Sequence, residues 1–271
     1  MKSGAQAAPL DQLTSGPEAT RGHRLLDFLS LTKPRLNLLV LLTTLGGVYI
    51  AAPDGVRATL VLHTMLGTAL VAGGAAALNQ VWERETDRLM RRTSRRPIAS
   101  RRLQATEGAW FGILLGAAGI AELIVAVNIT AAWVAAVTLI SYVLFYTPLK
   151  TRSSLSTLVG AVPGALPPVI GWAAATGNIG LPAAVLFGIV FFWQMPHFLA
   201  IAWMYREDYA RAGIPMLPVL DPDGRRTGRQ ALQYTLALGP VSLMPVLVGI
   251  AVAVFFSFRD RRKPSGIPVS S

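Results

Sequence analysis

Three oxygen-bearing side chains in the first third of the sequence have a spacing suited to binding a metal ion. Asn79, Glu83 and Asp87 stand at positions i, i+4 and i+8, so a helix would present all three on one face. Carboxylate and amide oxygens are hard ligands of the kind that Mg²⁺ binds, often together with the phosphate oxygens of a substrate. The spacing therefore indicates a site for magnesium and a phosphate group.

Arginines are interleaved with these carboxylates. Guanidinium groups bind phosphate oxygens through pairs of parallel hydrogen bonds, so acids and arginines together have the composition expected of a diphosphate site. The alternative is a solvated loop whose acids and bases pair with one another. The arginines of this stretch are Arg84, Arg88, Arg91, Arg92, Arg95 and Arg96.

A second acidic pair, Glu207 and Asp208, follows another long apolar run. The flanking Arg206 and Arg211 allow a different interpretation, a surface ion pair. Both acidic clusters end a long apolar run on the same predicted side of a membrane, and this joint placement favours one shared site.

Four further residues are candidates for substrate binding, each with a structural alternative. Lys33 and Arg35 precede the first apolar run, and Lys150 ends the fourth. Each of these is suited either to phosphate binding or to anchoring a helix at the membrane surface. His197 lies within an apolar run, where an ionisable side chain is a functional candidate. Its imidazole could ligate iron, or it could be a hydrogen-bonded histidine of the core.

The composition indicates the environment of these residues. The 271 residues are 52% hydrophobic and only 14% charged, whereas soluble domains carry about 25% charged residues. This deficit excludes an ordinary soluble globule and a disordered chain, and the lack of cysteine excludes a disulfide scaffold. A net charge of +11 would suggest nucleic acid as a partner of a soluble protein. Here the basic residues lie between apolar runs, so no nucleic-acid partner is expected.

Apolar runs separated by polar segments predict an all-α, polytopic transmembrane bundle with seven spans. A chain that crosses lipid must satisfy its own backbone hydrogen bonds, so each span is expected to be helical. Prolines and glycines within the fifth span predict a kink there. The predicted spans cover residues 36–53, 58–82, 108–127, 130–148, 155–176, 180–203 and 231–256.

The basic residues predict the orientation of the bundle. Of the 25 Lys and Arg, 20 lie in the N-terminal segment and in the second, fourth and sixth loops, and only Arg57 lies in the opposite loops. Basic loops stay in the cytoplasm, so the N-terminus and those three loops are expected to be cytoplasmic, in a cell membrane. The remaining four basic residues follow the seventh span and would lie outside, against the rule.

Five stretches of the sequence together resemble the UbiA-type intramembrane prenyltransferases, over roughly residues 28–256. The run from Asn79 to Pro97 resembles the first acidic motif of that family, and within the family the combination is most similar to the enzymes that farnesylate haem. The resemblance implies a nine-helix bundle around a central cavity, two helices more than the spans found here. The other four stretches are 31–35, 146–150, 162–172 and 193–218.

The resemblance also implies an activity. The expected reaction moves a farnesyl group from farnesyl diphosphate to a vinyl group of haem b and gives haem O for haem–copper terminal oxidases. Mg²⁺ is the implied cofactor, and membrane lipid, haem A synthase and oxidase assembly factors are the implied contacts.

Residue roles are carried over by position in the same way. Asp87, Glu83 and Asp208 are the expected catalytic residues. The expected metal ligands are Asn79, Glu83, Asp87, Glu207 and Asp208. The expected substrate-binding residues are Asn79, Arg92, Arg96, Lys150, Lys33, Arg35 and His197.

The sequence departs from the family pattern at both motifs. Glu83 stands where the family more often has Asp. Its side chain is longer than that of Asp, and its carboxylate should still reach a metal. The second motif lacks two aspartates at i and i+4, and Tyr205 and Tyr209 occupy that spacing around Asp208.

Two other functions remain open at this point. The same chemistry could act on a quinone-precursor aromatic or a chlorophyll-type ring, and a non-enzymatic transporter or haem-handling subunit would explain the spans but not the two acidic clusters. The predictions divide the chain into a cytoplasmic tail (1–30), a membrane prenyltransferase domain (31–258) and a polar C-terminal tail (259–271).

Overall fold

The computed structural model describes residues 21–260, with side chains placed between residues 23 and 246. Most of the predicted N-terminal tail, 1–30, and nearly all of the predicted C-terminal tail, 259–271, lie outside the described residues. The part of the N-terminal tail that is described forms a helix, so a helical element precedes the first span.

Within residues 21–260 the fold consists of helices joined by short loops. The elements are, in order, α1 (Arg21–Leu31), α2 (Pro34–Ala51), α3 (Ala58–Trp82), α4 (Arg84–Leu89), α5 (Ala105–Ala126), α6 (Ile129–Ile140), a π-helical segment (Ser141–Tyr146), α7 (Thr147–Leu149), α8 (Ser156–Ala165), α9 (Pro167–Thr176), α10 (Leu181–Met204), α11 (Arg206–Arg211), α12 (Leu217–Leu220) and α13 (Arg225–Asp260).

The first six predicted spans are confirmed. Within the described residues, six helical segments are long and apolar enough to cross a membrane, and their ends agree with the prediction to within three residues. The seventh predicted span, 231–256, lies inside the continuous helix α13. The six segments are Pro34–Ala51, Ala58–Trp82, Ala105–Ala126, Ile129–Leu149, Ser156–Thr176 and Leu181–Met204.

The fifth span is broken where its prolines predict. α8 ends at Ala165 and α9 begins at Pro167, because proline lacks the N–H that would continue the helical ladder. The buried side chain of Gln194 on α10 donates a hydrogen bond of 2.6 Å to the carbonyl oxygen of Ala161. The break is therefore braced by the neighbouring helix.

The fourth span contains a π-helical segment, Ser141–Tyr146, between α6 and α7. Such segments are rare, and they occur frequently at functional sites. This one directly precedes Thr147 and Lys150, so it sets the direction in which both side chains leave the helix.

Polar side chains join the spans at the end of the bundle away from the two acidic motifs. Asn128 caps α6 by accepting the Ala131 N–H at 2.9 Å, and its amide donates to the carbonyl oxygens of Ala173 and Ala174 on α9. Glu122 of α5 lies 2.6 Å from Nδ1 of His63 on α3. A polar group within a membrane span needs a partner of this kind.

We call the other end of the bundle, formed by residues 83–104, 150–155 and 205–225, the basic end. The helices of the bundle are held close together by glycines. Gly67 and Gly119 put α3 and α5 in backbone contact, because a Cβ on either would lie 3.1 Å or less from the carbonyl oxygen of the other. Small residues allow this approach in membrane helices.

The contact between α2 and α9 gives a stability prediction with an internal control. A Cβ at Gly47 would lie 2.1 Å from the carbonyl oxygen of Pro168, whereas a Cβ at the adjacent Gly46 would meet nothing within 4 Å. We expect Gly47→Ala to destabilise the protein by about 1–3 kcal/mol through overpacking, seen as a lower melting temperature of the detergent-solubilised protein. Gly46→Ala should leave the melting temperature unchanged or raise it slightly. Equal changes in the two variants would contradict the contact between Gly47 and Pro168.

The start of α13 gives a pH prediction. Asp221 accepts hydrogen bonds from the backbone N–H and the hydroxyl of Thr227 at 2.8 and 2.9 Å. The Thr227 N–H bond in particular holds the pKa of Asp221 below its usual range. A lowered pKa in the folded state means that this carboxylate stabilises the fold fully above the unfolded pKa of about 3.9, and that the contribution is lost progressively as the pH falls from there through the lower pKa of the folded state.

We therefore expect Asp221→Ala to lower the melting temperature at pH 7, and the difference from wild type to shrink as the pH falls through about 4. The exposed Asp223, in the same loop, is the control. Asp223→Ala should change little at either pH, and a deficit of Asp221→Ala that is as large at pH 3 as at pH 7 would rule out the carboxylate as its cause.

Candidate active site

The first acidic motif forms one buried face at the basic end. Asn79 lies in the last turn of α3, Glu83 caps that helix, and Asp87 lies in α4. Backbone hydrogen bonds from Glu83 N to Asn79 O and from Asp87 N to Glu83 O carry the helical repeat through the junction. The three side chains are 2%, 5% and 0% exposed, so they cannot be a solvated loop.

Each carboxylate of this face is paired with a basic side chain. Nη1 of Arg96 donates to both oxygens of Asp87, at 2.9 and 2.7 Å, and lies 3.9 Å from Glu83. Nζ of Lys150 donates to Glu83 at 3.0 Å. Buried charges persist only when they are paired in this way.

Lys33 reaches the same face from the turn between α1 and α2. Its Nζ donates to Oδ1 of Asn79 at 3.0 Å, and the amide of Asn79 in turn donates to Thr147 Oγ1 at 3.3 Å. The structure thus brings together six of the predicted residues. They are Lys33, Asn79, Glu83, Asp87, Arg96 and Lys150.

The pKa shifts of these buried groups reflect the attraction between the acidic and basic side chains. Burial acts to raise the pKa of Glu83, but the ammonium groups of Lys150 and Lys33 outweigh it and hold that pKa below its usual range. Burial acts to lower the pKa of Lys150, but the Tyr146 phenol and the Glu83 carboxylate raise it above its usual value. For Lys33, burial dominates and, with the nearby Arg96 charge, lowers the pKa to about 7.

The second acidic motif meets the loop that follows the first. Asp208, in α11, accepts a hydrogen bond of 3.3 Å from the backbone N–H of Arg92 and pairs with Arg211 at 3.0 Å. Burial acts to raise the pKa of Asp208, but the backbone N–H groups of Arg92 and Arg91 contribute to lowering it below its usual range.

Arg92 lies against two tyrosines of the second motif. Its guanidinium carbon is 4.8 Å from the ring centre of Tyr205, and its Nη2 donates to the hydroxyl of Tyr209 at 3.3 Å. The two positions four residues apart, where the family has aspartates, are therefore tyrosines in this chain, and both contact Arg92. Met90 packs beside Tyr209 in a buried apolar cluster that fixes this loop.

Three predicted residues do not join these networks. The side chains of Arg35 and Glu207 are exposed. His197 is exposed on α10, with its ring stacked on that of Trp193 at 5.3 Å, so the alternative of a buried core histidine is wrong.

The sequence reasoning missed several residues of the site. Thr147 is fully buried and binds Asn79, and Thr93 donates from its hydroxyl to the backbone carbonyl of Asp87 at 3.0 Å. Threonines carry little signal in a sequence, because most bond to their own helix. The sequence showed Tyr205 and Tyr209 at the spacing of the second motif, but it did not indicate that they contact Arg92.

No group of three or more His, Asp or Glu side chains converges anywhere in the described part of the chain. The carboxylates of the first motif and Asp208 contact different residues of one loop, Arg96 and Arg92. That all of them bind a shared metal ion stays a prediction. The arrangement is a buried, charge-balanced site whose basic groups can bind an anion with several negative oxygens.

Residues 40–259 match the model of the UbiA prenyltransferase family. The chain is 50% identical over 234 residues to a protoheme IX farnesyltransferase of Solibacter usitatus, covering 83% of this chain and 80% of that protein. It is 45% identical to a protoheme IX farnesyltransferase of Myxococcus xanthus, over 85% and 78% of the two chains.

Solved structures agree on the fold. A structure described as digeranylgeranylglyceryl phosphate synthase superimposes with a TM-score of 0.69 at 17% identity, over 83% of this chain and 78% of that one. A UbiA homologue from Archaeoglobus fulgidus bound to DMAPP and Mg²⁺ gives 0.64 at 16% identity, over 90% and 91%. The helical bundle, the family match and the close relatives agree, and this chain belongs to the UbiA prenyltransferase family.

Proposed function

We propose that this chain transfers a farnesyl group from farnesyl diphosphate to a vinyl group of haem b and so forms haem O. The observation that carries the proposal is the buried network in which Lys150 and Arg96 pair with Glu83 and Asp87. The membership of the UbiA family and the high identity to protoheme IX farnesyltransferases support the choice of both substrates.

The donor groups of the first motif fit a divalent magnesium ion. Asn79, Glu83 and Asp87 supply only oxygen ligands. The basic side chains beside the two carboxylates lie where the negative charge of these acids favours a cation. Asn79, Glu83 and Asp87 would hold Mg²⁺, with Asp208 and Glu207 as further ligands from the second motif. When bound, the ion would neutralise charge on the diphosphate.

The basic side chains bind the diphosphate and assist its departure. Lys33, Arg92, Arg96 and Lys150 lie at this end of the bundle, each near a carboxylate, an amide or a phenol that fixes its direction. Such preorganised positive groups stabilise charge that develops on a leaving oxygen, because they need not reorient during the reaction. Arg35, at the start of α2, is an exposed residue suited to attracting the anion.

The reaction follows from this charge stabilisation. The bond between C1 of the farnesyl chain and the diphosphate oxygen breaks, and diphosphate leaves with the electron pair. The haem vinyl group attacks the allylic cation at C1, and a water molecule adds to the new carbocation and loses a proton. The surrounding apolar helices limit premature hydrolysis of the cation by excluding water.

Haem carries iron, so an exposed histidine is a candidate for binding the acceptor. His197 and Trp193 form a stacked pair on an exposed face of α10, and imidazole is a common iron ligand. We assign His197 to orienting the porphyrin through its iron.

We place the basic end at the cytoplasmic surface of a cell membrane. The basic loops 83–107, 150–152 and 204–229 carry the positive charge that stays inside. The N-terminus would then also be cytoplasmic, where soluble farnesyl diphosphate is available. Haem A synthase and oxidase assembly factors are the partners we propose for handing on the product.

The central test is the substitution Asp87→Asn. Because the amide removes the negative charge but keeps the shape, we expect haem O formation to fall at least 100-fold, in line with the loss of a charge-stabilising group. The measurement uses purified protein with farnesyl diphosphate, haem b and Mg²⁺, with haem O identified by mass spectrometry. Membrane insertion should be unchanged.

The matched control is Glu85→Gln, since Glu85 is exposed and, among the described residues, pairs with Arg84 and Arg88 outside the buried network. Chelation of divalent metal should abolish activity and added Mg²⁺ should restore it. Farnesyl transfer to an aromatic quinone precursor but not to haem b would reject the acceptor, and full activity of Asp87→Asn would reject the site.

The pairing of Lys150 with Glu83 gives a stability prediction. Lys150→Met should destabilise the protein by about 3 kcal/mol, because it leaves a buried carboxylate without its partner. Adding Glu83→Gln to that variant should recover most of the loss. Thermal unfolding in detergent measures both, and a double variant less stable than Lys150→Met would contradict the pairing.

A further inference from the structure

The turn between α1 and α2 holds Lys33 in an unfavourable backbone conformation. Its φ and ψ angles are 50° and 63°, in the left-handed region, where few residues other than glycine are found. The next residue is Pro34, which disfavours helical conformations in the residue before it. Such a conformation persists only when surrounding contacts impose it.

Two side chains grip the backbone of this turn. Nε2 of Gln80 on α3 donates to the carbonyl oxygen of Leu31 at 2.9 Å, and Nδ2 of Asn37 on α2 donates to the carbonyl oxygen of Thr32 at 3.0 Å. The turn can come this close to α3 because Gly73 has no side chain. A Cβ there would lie 3.3 Å from that of Thr32.

Adjacent residues of α3 thereby hold the two ends of one lysine. Gln80 fixes the backbone two residues before Lys33, and Asn79 accepts the hydrogen bond of its ammonium group at 3.0 Å. The lysine side chain has four rotatable bonds, so its head reaches the site reproducibly only if its Cα is fixed.

We propose that Gln80 is a positioning residue for anion binding, which acts by locking the Leu31–Lys33 turn so that the Lys33 ammonium stays at the active site. This inference rests on the proposed function, in which Lys33 binds the diphosphate of the substrate.

The hydrogen bonds of Gln80 argue against a role in stability alone. Its side chain is 2% exposed, and its Oε1 has no hydrogen-bond partner among the described residues. A buried acceptor without a partner destabilises a fold. Methionine has a similar shape and removes this unpaired acceptor, but it also leaves the carbonyl oxygen of Leu31 without the donor of Gln80, so its two effects on stability oppose each other.

The test is a double-mutant cycle with the full chain in detergent and inorganic pyrophosphate as the probe, in the presence of Mg²⁺, by titration calorimetry. We expect Gln80→Met to weaken pyrophosphate binding about tenfold, while its melting temperature stays close to that of the wild type, since it removes one unpaired buried acceptor and creates another. Lys33→Met should weaken binding by at least as much. In the Lys33→Met background, Gln80→Met should have no further effect.

A second variant removes the other side-chain hydrogen bond to the backbone of this turn. Asn37→Leu removes the bond to Thr32, and its effect on pyrophosphate binding should likewise vanish in the Lys33→Met background. The control is Thr138→Val, which removes a side-chain bond within α6 and should leave binding unchanged.

The outcomes separate the two proposals. Wild-type binding by Gln80→Met, or an equal loss with and without Lys33, overturns the role of Gln80, as does normal pyrophosphate binding by Lys33→Met. Pyrophosphate binding by the wild type without any farnesylated haem would reject the proposed acceptor while leaving the cycle readable. A wild type that binds no pyrophosphate overturns both.

Discussion

A carboxylate withdrawn from water must have positive charge close to it, and this requirement organises the basic end of the bundle. Glu83 and Asp87 are nearly inaccessible to solvent, so the chain has to bring a lysine from the fourth span and an arginine from a distant part of the loop to meet them. The loop after α3 and the end of the fourth span supply these two partners.

The pairing also explains why the site can accept an anion. Without substrate, Lys150 is balanced by Glu83 and Arg96 by Asp87. In the proposed function, a metal ion would take the place of the basic partners and a diphosphate that of the acidic ones. The same pairing that compensates the buried charges in the free protein would thus supply the groups that bind a charged substrate.

The glycine contacts provide the rigid frame for this exchange. Close approach of α3 to α5 and of α2 to α9 leaves the first motif on a helix whose neighbours cannot shift easily. The apolar cluster around Met90 and Tyr209 holds the loop between the motifs in the same way. Positioning therefore depends on packing remote from the charged groups.

Sequence reasoning located the spans well, because hydropathy and charged boundaries are local signals. It also found the face of Asn79, Glu83 and Asp87, since helical periodicity is local as well. It did not pair His63 with Glu122, because their contact depends on the crossing of two helices.

The roles of Gln80 and Thr147 were missed for a similar reason. Each acts through one hydrogen bond to a residue far along the chain. The exposure of His197 was equally invisible, because it depends on which face of α10 meets its neighbours.

The π-helical segment Ser141–Tyr146 determines which face of the fourth span carries Lys150. A π turn contains one residue more than an α turn, and each residue of an α-helix advances by about 100° around the axis. If the same residues formed a regular α-helix, Lys150 would be rotated by about 100° relative to α6, away from Glu83. A regular helix with one residue fewer would leave Lys150 close to its present direction, so the π turn is what accommodates the extra residue.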